Sequence, residues 1–195
     1  MPLNLVFRFN LDYFSRMKPL VVLLLLTSTA AFAFTPTTTA TQSKPNVFGE
    51  TRTVVQSAAS KPTTIVTQKP NVFGETKSVV QNSNGASVQT IVAQKPNYAG
   101  EIKAVVKNDL GQQVGAITTR PANVFGETKS VITDAQGRKV GEAVAQKPNV
   151  FGEVKTVYKD ANGKITGQAV TTKPNVFGEV KTKVEGKVPT EVLIK

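Results

Sequence analysis

Along most of this chain apolar and polar residues alternate, and glycine, proline, Asn and Asp interrupt the alternation at regular intervals. In the stretch 124–149, residues 124–133 alternate and are rich in β-branched side chains. Asp134-Ala135-Gln136-Gly137 follows, and residues 139–146 resume the pattern up to Lys147-Pro148-Asn149. A period of two is the strand period, and Val and Thr fit a pleated, half-buried surface. Aspartate with glycine three residues later suits a type I turn closed by a left-handed residue. Proline followed by Asn suits a second turn. Equivalent mid-unit turns fall at 82–85, 108–111 and 160–163. The prediction is strand–turn–strand throughout, with no helical period beyond the N-terminal segment.

The unit recurs. Lys-Pro-Asn-Val-Phe-Gly-Glu and its variants start at Lys44, Lys69, Lys95, Arg120, Lys147 and Lys173 and close on Glu50, Glu75, Glu101, Glu127, Glu153 and Glu179. The glutamates are spaced 25, 26, 26, 26 and 26 residues apart. A unit this small cannot bury its own apolar face, so its neighbours must cover it. The third copy reads Tyr98-Ala99 where the others read Val-Phe.

Reading down the repeats gives columns. Val55, Val80, Val106, Ile132, Tyr158 and Val184 fall at one position of the expected inner face. A basic column, Arg52, Lys77, Lys103, Lys129, Lys155 and Lys181, lies two residues after the six glutamates, and together they form a surface ladder. Glycine inside a strand marks a bulge. A bulge at Gly126 would turn Phe125 inward, and with it Phe48, Phe73, Phe151 and Phe177, as packing columns. Without a bulge the five phenylalanines would form an exposed, adhesive stripe.

Two stackings fit this period. In an all-β solenoid, each of six ~26-residue repeats is one rung, about 4.8 Å above the last. In the alternative, an extended antiparallel meander, each repeat is a hairpin. The solenoid is the expected arrangement because it covers its apolar face within the chain; a closed barrel is a third possibility. A membrane-spanning barrel requires aromatic girdles, and this chain has three Tyr and no Trp.

The N-terminal segment sets the compartment. Lys18, the apolar run 20–26 and Ala31-Phe32-Ala33 have the parts of a secretory signal peptide. Residues 1–33 are therefore expected to be removed, with Met17 as a second candidate start. Residues 34–43 are low in complexity and are expected to be a flexible polar leader, and 44–195 the repeat domain. The product is expected to be secreted, extracellular, on the cell surface or periplasmic, with no integral membrane span after processing.

Composition then removes chemistries. There is no Cys and no His, which excludes disulfides, Cys/His zinc sites and histidine acid–base catalysis. Glu and Lys at i, i+2 recur six times, whereas a catalytic pair needs one desolvated pocket. Charge compensation is the expected role of the ladder. No catalytic, metal or cofactor site is expected, and the chain is expected not to be an enzyme. The formal charge is +11, which suits an anionic polysaccharide or extracellular DNA as partner.

The plan of signal, polar leader and tandem strand–turn–strand units is similar to that of curlin-type extracellular amyloid subunits. The similarity is architectural and carries over no residue. It implies a structural protein that self-assembles as a homopolymer into surface fibres or biofilm matrix, by pairing of matching edges. The alternative is a monomeric binding module for a glycan or anionic polymer.

Overall fold

The structure, a computed structural model, describes residues 37–58 and 60–188; the expected signal peptide lies outside them. It is a closed barrel of twelve antiparallel strands. They are β1 (Thr38–Gln42), β2 (Thr51–Ser57), β3 (Ser60–Thr67), β4 (Thr76–Gln81), β5 (Ser87–Ala93), β6 (Ile102–Asn108), β7 (Gln113–Thr119), β8 (Thr128–Asp134), β9 (Lys139–Ala145), β10 (Val154–Asp160), β11 (Ile165–Thr171) and β12 (Val180–Gly186). Each strand pairs with its neighbours in sequence, and β1 closes the sheet against β12, Ala40 facing Thr182.

The all-β class and the repeated strands stand. The solenoid is corrected to a barrel, and the meander survives only as the local connectivity. The reason lies in the turns. A solenoid rung needs parallel ladders between repeats, and an Asx-x-x-Gly turn sends the chain straight back antiparallel. Strand twist then coils a run of hairpins until its ends meet. The ends meet through residues 38–42, expected to be flexible leader, which instead form β1. Closure leaves no unpaired strand edge among the described residues.

The interior is apolar and finely graded. Six cross-strand pairs fill one level: Ala40–Val55, Ile65–Val80, Ile91–Val106, Ile117–Ile132, Ala143–Tyr158 and Ala169–Val184. All twelve residues are buried. On the other flank of Val106, Ile132 and Tyr158 stand Gly115, Gly141 and Gly167, which leave room for the larger side chains. Tyr158 is the largest, and its hydroxyl has no hydrogen-bond partner. A second level carries hydroxyl pairs, Thr67–Ser78 at 2.9 Å, Thr119–Ser130 at 2.8 Å and Thr171–Thr182 at 2.9 Å. Outward positions carry Lys, Thr, Gln and Val, and the strands are 5–8 residues long. A bilayer-spanning strand needs about 9–11 residues and a lipid-facing apolar band. Here the apolar face is the inner one.

Candidate functional site: an apolar crown on one rim

Alternate connections of an up-and-down barrel lie at alternate ends. The loops 43–50, 68–75, 94–101, 120–127, 146–153 and 172–179 therefore share one rim. Each is eight residues long and contains one copy of the repeated motif. The repeated motif thus forms a ring of six hairpin tips.

One asparagine organises each tip. In the fifth loop, the Asn149 side-chain oxygen accepts the N–H of Phe151 and of Glu153, both at 2.9 Å. The Asn149 side-chain amide donates to Glu153 Oε2 at 3.0 Å, and the Gly152 N–H donates to the Asn149 carbonyl at 2.9 Å. The same bonds hold Asn46, Asn71, Asn97, Asn123 and Asn175. The glycines sit at φ of +77 to +80°. This is a type I turn closed by a left-handed glycine, the bulge of a tight hairpin loop, and at the tip it does not turn the central side chains inward. The two central residues of such a turn point away from the sheet.

Those residues are Val and Phe. The valines are 94–95% exposed and the phenylalanines 72–76% exposed, and Tyr98 is fully exposed. The inward packing expected of Phe48, Phe73, Phe125, Phe151 and Phe177 is therefore corrected: all five stand in solvent. Val55, Val80, Val106, Ile132, Tyr158 and Val184 lie in the core.

Neighbouring loops touch. A Cβ added to Gly126 would meet Lys147 Cβ at 3.1 Å, one on Gly152 would meet Lys173 Cβ at 3.3 Å, and one on Gly178 would meet Lys44 Cβ at 2.9 Å. Each lysine stem thus lies across the glycine of the preceding loop, and the last contact closes the ring. Pro121 takes this place against Gly100, and Arg120 instead pairs with Glu101 at 3.4 Å.

The expected ladder is distributed differently. The six glutamates are bound by their own asparagines, Asn–Glu distances running from 3.0 Å at Glu153 to 3.3 Å at Glu101. Among the described residues no ion pair joins a glutamate of the ladder to the basic residue two positions on. Lys129 instead binds Glu142 at 2.9 Å. Arg52, Lys77, Lys103, Lys129, Lys155 and Lys181 are all exposed. Glu142 is the buried carboxylate that sequence reasoning missed. Lys139 reaches it at 2.9 Å and Lys159 at 3.5 Å. Hydrogen bonds from Lys129 and Lys139 hold its pKa down at about 2. Its one signal in the sequence is an acidic residue where the other repeats carry Thr64, Thr90, Ala116 and Gln168.

Comparison with known protein families, curated proteins and solved structures finds no match. The functional reading therefore rests on the crown. Among the described residues no group of three or more Asp or Glu converges to hold a metal ion, and no helix is long and apolar enough to cross a membrane.

Proposed function

We propose that this protein is a non-enzymatic binding module, exported behind its N-terminal segment, that docks through the apolar rim of its barrel. One observation carries this reading. Five Val-Phe pairs and Tyr98 occupy turn positions where they cannot contribute to the core, and they gather on a single rim. A folded protein gains nothing from exposed phenylalanine unless something covers it. Eleven large apolar side chains at one end are a surface awaiting a partner.

The same geometry weighs against growth of fibres from edge to edge, because each described strand already has two neighbours. It also supports a non-catalytic reading. The repeated Glu and Lys groups are spread around an exposed ring, and buried Glu142 is already neutralised by three lysines.

Sedimentation velocity tests the proposal on protein that starts at Phe34. The module is expected to remain monomeric as concentration and salt rise. Concentration-dependent fibres that persist when the five rim phenylalanines are changed to Ser would overturn it.

A further inference from the structure

We infer that the crown docks onto the surface of a lipid bilayer rich in anionic headgroups. The inference rests on the docking reading above and supplies its partner. Three observations select this occupant.

The first is shape. The six loops have one length and one set of hydrogen bonds, so their tips stand at one height around the rim. An inter-strand spacing of about 4.8 Å and a strand tilt of about 40° put neighbouring tips roughly 12 Å apart, on a ring roughly 20–25 Å across. A linear polymer laid across such a ring meets two tips. A planar surface meets all six.

The second is chemistry. Each Val-Phe tip is small, apolar and backed by a rigid turn. It can enter the boundary between headgroups and acyl chains without unfolding anything, as an amphipathic helix does with its apolar face. A sugar-binding surface sets hydrogen-bonding groups beside flat rings, whereas the tips carry apolar side chains, five of the eleven being valine.

The third is charge. The motif residues Lys44, Lys69, Lys95, Arg120, Lys147 and Lys173 are exposed, as is the second basic column on the adjoining strand starts. Twelve basic residues against the six loop glutamates and Glu142, which Lys129 binds, give this end of the barrel a net charge of +5. Lysine stems lie across the loop glycines beside the tips, which lets their ammonium groups reach lipid phosphates when the tips insert. A second crown is disfavoured as occupant, because it would bring one positive collar against another.

The test is co-sedimentation of protein starting at Phe34 with vesicles of phosphatidylcholine alone, or with roughly one third phosphatidylglycerol. Partitioning is expected to be at least about tenfold stronger on the anionic vesicles and to weaken as salt screens the collar. Changing Phe48, Phe73, Phe125, Phe151 and Phe177 together to Ser should reduce it at least about tenfold while thermal melting stays in place. Equal binding to both vesicles, or binding unaffected by the five changes, overturns the inference. If vesicles fail but soluble polyphosphate or alginate binds in a Phe-dependent way, the membrane is wrong and the docking reading stands. If neither binds and a Phe-dependent dimer forms in solution, the partner is a second copy and the membrane is again wrong. If the five changes alter no interaction at all, the docking reading falls with it.

Discussion

Four connections on the far rim use the same turn as the six crown loops and are finished with opposite chemistry. On the crown, Asn149 accepts the N–H groups of Phe151 and Glu153; on the far rim, Asp134 accepts those of Gln136 and Arg138, at 3.0 and 2.9 Å. Gly152 and Gly137 both take positive φ, +80° and +79°. The central pairs differ. The far rim carries Ser83-Asn84, Asp109-Leu110, Ala135-Gln136 and Ala161-Asn162, the crown Val-Phe five times. Leu110 is the one large apolar residue at those far-rim positions. Since the backbone needs are identical, folding does not explain Val-Phe. The far rim acts as an internal control that isolates what the crown adds.

Inside the wall the two ends do not differ in the same way. The hydroxyl pairs Thr67–Ser78, Thr119–Ser130 and Thr171–Thr182 lie one step nearer the crown than the apolar pairs Ile65–Val80, Ile117–Ile132 and Ala169–Val184. The interior level nearest the crown is therefore rich in hydroxyls, and the level on the far side of the apolar pairs is polar as well, with Thr38 facing Ser57 and Gln89 facing Asn108.

The strongest way to break the comparison is to move the tips. Starting from the variant with five crown serines, Ser83→Val with Asn84→Phe, Asp109→Val with Leu110→Phe, Ala135→Val with Gln136→Phe and Ala161→Val with Asn162→Phe would build a second crown. The turns are unchanged, so the barrel should melt as before. Binding to anionic vesicles should rise at least about threefold above the five-serine variant and stay below the natural protein, with fewer tips and less positive charge than the original. Recovery would show that tip chemistry on a rigid ring suffices. Failure to recover any binding would mean that the crown's own loops contribute more than Val and Phe.

How much of this could be read beforehand follows from the same turns. Alternation and the mid-unit turns mark the strands because both are local. Closure is not local. It depends on Thr38-Thr39-Ala40-Thr41-Gln42, which looks like a polar leader in isolation but aligns with 63–67 once Lys44-Pro45 is set over Lys69-Pro70. Ala40 then falls where Ile65 does, in the core. A half-repeat at the start that completes a half-repeat at the end is the pattern of a ring, and a short polar strand hides it. The inward placement of the phenylalanines fails for a related reason. A bulge within a strand at Gly126 would turn Phe125 inward, but Gly126 closes a turn and no strand runs through it. The spacing of Asn149 to Gly152 equals that of Asp160 to Gly163, and that equality identifies the tip as a turn.

Glycine substitution sharpens the comparison at intermediate size. Gly137→Asn adds a side chain at positive φ with nothing within 4 Å. Asn tolerates that backbone, so a loss of about 0.5–1 kcal/mol is expected. Gly178→Asn carries the same backbone cost and also places a Cβ 2.9 Å from Lys44 Cβ, across the point where the ring closes. A loss of about 2 kcal/mol is expected, part of it from displacing the lysine stem. Urea unfolding of both variants measures the difference. Equal losses would mean that the loops of the crown are independent hairpins and not a packed ring.

The smallest effect concerns a place where the sixfold pattern fails in the wall itself. Glu142 faces outward from β9, yet it is nearly buried beneath Lys129, Lys139 and Lys159. Hydrogen bonds from Lys129 and then Lys139 outweigh the cost of burial and hold its pKa at about 2, below its ordinary 4.5. A depressed carboxylate stabilises the fold above its unfolded pKa, and that contribution is lost as protons bind the folded form. The stabilisation should therefore be complete at neutral pH and fade between about pH 4.5 and pH 2. Its size is modest, about 1–2 kcal/mol, because Lys129 and Lys139 are themselves partly in water and their charges are screened. Glu142→Gln keeps the shape and removes the charge. The variant should unfold at lower urea than the natural protein at pH 7, and the gap should shrink to a small part of that near pH 2, where half of the Glu142 carboxyls are protonated. Unfolding curves across that pH range would decide the point. A stability difference that did not shrink in acid would show that Glu142 acts through packing alone, and that the three lysines above it contribute shape, not charge.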